Sequence, residues 1–203
     1  MRPPSVLLIG AAGSGKDTVA DYLADRHGYA VFHVADPLKR LLGDPAWKPV
    51  WEVLYPEGPP PKLRRELQEV GDLLRHWDPA MLVKMTTRAI QHTIRQHPGQ
   101  PWCLADIRLV DEFQAFHTQF PHARVLGLTA PDPQRAERLA ARDGQAPPGD
   151  WAAHPTERQT ATLFQMGVCD TTIANTGTLA DLHRAVDAAI TAPSRTLPTR
   201  QLL

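Results

Sequence analysis

The chain has 203 residues, and its 22 lysines and arginines balance 22 aspartates and glutamates, which excludes an overall positive field able to recruit polymeric nucleic acid or an acidic membrane. The length suits one substantial core with a mobile lid, and no apolar run reaches the length of a membrane span. Two cysteines without CxxC spacing and nine histidines without metal-ligand spacing argue against a disulfide framework and a structural zinc, and the expected location is cytoplasmic.

The apolar run Val6-Leu7-Leu8-Ile9 predicts a buried strand, and it breaks into Gly10-Ala11-Ala12-Gly13-Ser14-Gly15-Lys16-Asp17-Thr18 before a helical pattern. Gly10, Gly15 and Lys16 match the GxxxxGK spacing, in which backbone N–H groups curl around a phosphate and the lysine reaches its outer oxygens. The helix that follows aims its positive end at the same anion. Lys16, Asp17 and Asp21 follow the small residues at once, so the segment does not read as a secretion leader. Asp17 stands where a serine or threonine usually meets magnesium, with Thr18 next; both offer hard oxygen ligands.

Gly28 reads as a helix stop and Tyr29 to Val34 as a second strand. Asp36, Lys39 and Arg40 then fall beyond a strand's carboxyl end, where open α/β sheets place ligands; Asp36 also suits a helix N-cap with Pro37 behind it. Gly43 to Pro61 reads as a loop, with Trp47, Trp51 and Tyr55 expected to pack. Leu63, Leu67, Val70 and Leu74 mark one helical face, flanked by Gln68, Arg75, Trp77 and Asp78, and Arg75 can hold a phosphate with two parallel hydrogen bonds. A further helix runs from Pro79 towards Arg95.

Trp102 to Ala105 predicts a central parallel strand, with Asp106 and Arg108 at its end, an aspartate placed to hold magnesium or its water shell and a cation for a phosphate. Phe113, Phe116 and Phe120 form a core stripe, and Arg124 to Thr129 is the next strand. The helix from Pro133 carries Arg135, Arg138 and Arg142 on one face, with no acidic residue at matching spacing along that face. A loop from Asp143 to Pro155 and a helix opened by a Thr156/Gln159 capping box complete an excursion expected to act as a lid. Thr171 to Ala174 is the last strand, and Thr178 caps a final helix.

Together, Gly15 to Asp21, Ala35 to Lys39, Leu67 to Trp77, Asp106-Ile107-Arg108 and Ile173 to Thr178 resemble the deoxynucleoside monophosphate kinases of the P-loop kinase superfamily. The resemblance implies an α/β P-loop kinase fold, a five-stranded parallel sheet flanked by helices, with a substrate-binding helical insertion at about 36–98 and a mobile lid at about 135–158. It implies a single domain over 1–192 with a tail at 193–203. ATP would lie on Ala12, Gly13, Ser14, Gly15, Lys16, Asp17 and Thr18, with Asn175, Gly177 and Thr178 near adenine. Asp17, Thr18 and Asp106 would meet magnesium, and Lys16, Asp106, Arg135, Arg138 and Arg142 would serve catalysis. Asp36, Lys39, Gln68, Arg75, Trp77 and Arg108 would hold a nucleoside monophosphate, giving ADP and a diphosphate, with no polymeric nucleic acid or membrane as partner and a homodimer as one open arrangement. Gly71-Asp72 departs from the pattern, which places a small hydroxyl residue after the glycine. The segment from Leu128 to Asp143 also resembles dephospho-coenzyme A kinases, so another small phosphorylated acceptor, or a non-catalytic nucleotide switch, stands as an alternative.

Overall fold

The computed structural model describes residues 3–43, 64–147, 149 and 151–192; the expected loop with Trp47, Trp51 and Tyr55, and the tail, lie outside the described residues. Five parallel strands, β1 (Val6–Gly10), β2 (Ala30–His33), β3 (Trp102–Ile107), β4 (Arg124–Thr129) and β5 (Thr171–Ala174), form one sheet in the order β2-β3-β1-β4-β5. Parallel neighbours need crossover connections. Helices α1 (Lys16–His27), α2 (Asp36–Gly43), α3 (Arg64–Trp77), α4 (Met81–Gln96), α5 (Val110–Gln119), α6 (Asp132–Asp143), α7 (Pro155–Gln165) and α8 (Leu179–Thr191) supply them, and cover both faces.

The central strand shows why its sequence is apolar throughout. Leu7 and Ile9 pack into one core with Phe32, Leu38, Ile90, Phe113 and Phe116, while Val6 and Leu8 pack into another with Leu23, Leu126, Val186 and Ile190. A strand alternates its side chains between faces, so burial on both sides demands an unbroken run. Truncating Leu8, fully buried, to alanine is expected to cost about 2–5 kcal/mol.

Two local expectations are met by geometry: Gly28 ends α1 in the left-handed region at φ 68°, and Thr178 exchanges side-chain and backbone bonds with Asp181 to cap α8. The Thr156/Gln159 capping box does not form. Pro155 is the first helical residue of α7, so the cap falls on His154, whose Nδ1 accepts from the Thr156 N–H at 3.3 Å. Gln159 instead reaches outward, its Oε1 accepting from the Val110 N–H at the start of α5. Both cysteines are free; Cys103 is fully buried and Cys169 partly so. Among the described residues no helix is long and apolar enough to cross a membrane.

Candidate active site

The β1–α1 turn is held in shape by bonds to its own backbone and to distant elements. Ser14 N–H donates to the Ala11 carbonyl at 3.2 Å, and the Lys16 ammonium donates to the same oxygen at 3.0 Å. From the end of β5, the Asn175 amide donates to the Ser14 carbonyl at 2.9 Å. Gly13 and Gly15 sit at φ 74° and 102°, angles that a side chain disfavours, and a Cβ on Gly15 would come within 2.4 Å of the Asn175 amide nitrogen. The glycines are therefore required by close approach as well as by backbone angle.

Lys16 is the main electrostatic feature. Burial pushes its ammonium down to about 8, the Arg108 guanidinium pushes the same way, and the Asp106, Asp17 and Glu157 carboxylates partly offset both. A cation made uncomfortable by burial gains from an incoming anion, because the phosphate restores the charge balance that desolvation removed. Ser14 Oγ is buried and has no hydrogen-bond partner, a second polar group at the turn left for a ligand to satisfy.

Asp106 reaches this cluster through a distortion of β3. Leu7 pairs with Leu104 but Ile9 with Ile107, so β3 carries one extra residue there. Asp106 stands at φ 73°, the one non-glycine residue with positive φ among those described. A bulge re-aims a side chain, and a left-handed non-glycine residue costs roughly 1–2 kcal/mol, a cost that clusters at functional sites. Its carboxylate meets the Arg108 Nε at 2.5 Å. The strand therefore runs past Ala105, where the apolar run stops, to carry both expected site residues at its end.

The three arginines of α6 have different environments, and the expectation that the row lacks acidic partners is corrected. Arg135 is buried: its Nε donates to the Ala12 carbonyl at 2.8 Å, its Nη1 to Asp132 Oδ1 at 2.8 Å and its Nη2 to Glu157. Asp132 lies one turn before it on the same face, and Glu157 comes from α7, which spacing along one helix does not foretell. Arg142 pairs with Asp143 through two 3.0 Å bonds. Arg138 donates to two backbone carbonyls, Asn175 at 3.0 Å and Gly13 at 3.4 Å, and to no carboxylate among the described residues. Its charge is the least compensated of the three.

The remaining expected residues lie around this centre. Asp36 accepts from the His33 N–H at 2.7 Å and pairs with Lys39 at 3.3 Å, so it closes the β2–α2 turn. Arg75 lies 3.6 Å from Glu112, whose carboxylate also accepts from the Arg108 and Leu109 N–H groups and is raised by burial. Trp77, at the end of α3, is 70% exposed and does not join the cluster. The Gln68 side chain lies outside the described residues. Gly177 and Thr178 follow Asn175, and the Thr178 hydroxyl donates to Asp181. Glu112 and Glu157 are the residues that sequence reasoning misses, since each acts on an element far from its own.

Asp17 and Thr18 are exposed at the start of α1, and the Asp17 and Asp106 carboxylates both act on the Lys16 ammonium. No cluster of three metal-binding side chains occurs among the described residues. One or two carboxylate oxygens beside a phosphate site suit magnesium, which keeps several waters and borrows phosphate oxygens.

Comparisons with known proteins bear on the fold and the family. No curated protein sequence matches. Among solved structures, a Thermus thermophilus protein is 24% identical with a TM-score of 0.57, covering 93% of this chain and 96% of that one. A gluconokinase from Sinorhizobium meliloti is 20% identical at TM-score 0.54, covering 94% and 93%. A shikimate kinase from Acinetobacter baumannii, in complex with shikimate, is 15% identical at 0.55, covering 92% of each chain. These likenesses support the fold. The AAA domain model matches residues 6–155, from the first strand through the arginine helix to the start of α7. With the glycine turn, its buried lysine and four of the five strands, β1 to β4, inside that span, the chain belongs to the AAA domain family and has the P-loop kinase fold.

Proposed function

We propose that the protein is a cytoplasmic ATP-dependent phosphotransferase that moves the γ-phosphoryl group onto the phosphate of a (deoxy)nucleoside monophosphate. The observation that carries the reading is the grouping of Lys16, Arg108 and Arg138 around a glycine turn whose backbone is fixed by Asn175. The acceptor's phosphate is already an anion, so one of its oxygens attacks the γ-phosphorus without a strong general base. The bond to the β–γ bridging oxygen breaks, and ADP leaves with that electron pair. Catalysis then consists of positioning and charge neutralisation.

Lys16 neutralises the outer phosphates, and Arg138 adds charge from the lid side. Arg108, held by Asp106, faces the transferred group, and Arg75, beside Glu112, takes the acceptor's phosphate. Asp17, Thr18 and Asp106 would hold magnesium, which would supply Lewis-acid neutralisation of phosphate charge. Asp36, Lys39, Gln68 and Trp77 form the acceptor's surroundings, and Gly177 and Thr178 flank the base of ATP. Arg142 is a reserve cation at the lid, while Arg135 supports the turn and is not assigned to the phosphates.

The fold is shared with proteins named for gluconate and shikimate, so another small acceptor is the second reading. A coupled assay for ADP release tests both, with the common ribo- and deoxyribonucleoside monophosphates run beside gluconate, shikimate and dephospho-coenzyme A. Turnover with a monophosphate at least tenfold above background supports the proposal. Turnover confined to a sugar acid, shikimate or dephospho-coenzyme A overturns the acceptor class, and tight ATP binding with no productive acceptor supports a nucleotide switch.

A further inference from the structure

Arg135 and Glu157 stand at the two stems of the excursion between α6 and α7, and they meet at a single residue of the phosphate turn. Glu157 Oε1 accepts from the Ala12 N–H at 3.2 Å, and Arg135 Nε donates to the Ala12 carbonyl at 2.8 Å. The pair is closed by Arg135 Nη2 on Glu157 Oε2, so one ion pair takes both hydrogen-bonding groups of Ala12. The two side chains are 9% and 8% exposed. The Trp151 ring, from within the excursion, lies 4.5 Å from the Arg135 guanidinium carbon, and Asp132 takes the last guanidinium nitrogen. Gly13 lets this contact close: a Cβ there would come within 2.7 Å of the Arg135 carbonyl oxygen.

We propose that Glu157 and Arg135 act as one positioning unit, fixing the Ala12 peptide of the phosphate turn and both stems of the excursion in mutual register. This rests on the phosphotransferase reading above and adds a division of labour to it. All three Arg135 nitrogens are engaged by protein oxygens, so Arg135 orients and does not touch the transferred group. Arg138, one turn further along α6, is the residue so delivered: it leans on Gly13, the neighbour of the fixed Ala12. A fork of N–H donors matched to a carboxylate defines direction as well as distance, which a single charge contact does not.

The test uses Glu157→Gln, Glu157→Ala, Arg135→Ala and the double alanine variant of the full chain. Glutamine keeps an acceptor for the Ala12 N–H, and alanine removes it. Amide hydrogen exchange in nucleotide-free protein is expected to speed at Ala12 by about tenfold or more in Glu157→Ala, and to stay within about threefold in Glu157→Gln, with β1 amides as the internal reference. In kinetics, Glu157→Ala is expected to raise the KM for ATP about tenfold, with the acceptor's KM within about twofold. The double variant is expected to lose no more than the worse single one, since a unit can be broken once. Unchanged Ala12 exchange in Glu157→Ala, or additive losses in the double variant, would overturn the proposal. Exchange is read without any turnover, so a wild type that shows the expected exchange pattern but transfers no phosphate counts against the phosphotransferase reading alone.

Discussion

The two ends of the proposed site are built differently. At the phosphate turn, contacts come from the backbone and from buried side chains: Lys16, Ser14, Arg135 and Asn175 are all under 9% exposed, and elements from β1 to β5 converge there. On the side of α2 and α3, the chemistry sits on side chains near the surface, with Trp77 and Leu73 largely exposed and Lys39 and Arg75 on helix faces. The difference teaches where each kind of recognition is stored. On the proposed reading, a phosphate tail common to many ligands would be held by the core, and the partner that distinguishes one enzyme from another would be held by replaceable surface groups.

The comparison breaks most clearly at Lys16. Lys16→Ala is expected to lower kcat/KM by about 10³ or more with the fold retained by circular dichroism; near-normal turnover would remove the turn from the chemistry. Arg138→Ala is next, with kcat reduced by about 10³ and Arg142→Ala affected by less than about tenfold, measured in the same assay. On the opposite side, Arg75→Ala is expected to raise the acceptor's KM by about 10-fold to 100-fold while the KM for ATP moves by less than about twofold. Equal effects on both would erase the distinction between the two ends.

Lys16 also sharpens the comparison through pH. Its ammonium is lowered to about 8 in the folded chain from an ordinary 10.5, so between those values the unfolded chain binds more protons and stability rises with pH. Below about pH 8 the buried charge costs up to about 3 kcal/mol. Urea unfolding in nucleotide-free and magnesium-free buffer is therefore expected to find Lys16→Met more stable than wild type near pH 7, with the gap closing towards pH 10.5. The smallest effect is at Asp106: Asp106→Gly relieves the left-handed backbone but loses the Arg108 pair, so stability is expected to change by less than about 1 kcal/mol while turnover falls.

Much of this was legible in the sequence because the signals are local. The unbroken apolar run of β1, the glycine spacing, the stop at Gly28 and the Thr178 cap each declare themselves within a few residues. The strands Arg124–Thr129 and Thr171–Ala174 have the expected boundaries for the same reason. What sequence reading missed depends on contact between distant elements. Nothing near Glu157 reveals that it meets Ala12, and nothing near Glu112 reveals its place beside Arg75. The arginine row shows the limit most plainly: three equal letters on one helix face become a buried brace, a lightly compensated cation and a surface pair. The Thr156 expectation fails for a simpler cause, since the helix starts at Pro155, two residues earlier than a Thr156 cap requires, and the expected cap becomes an interior position.

The amide of Asn175 on the Ser14 carbonyl has a consequence for synthesis. The glycine turn is encoded within the first eighteen residues, yet its shape is finished by a side chain that the ribosome adds some hundred and sixty residues later. A nascent chain halted before β5 would carry the whole glycine motif and still lack the strut that completes it, so the turn takes its final shape late in translation, together with the last edge of the sheet.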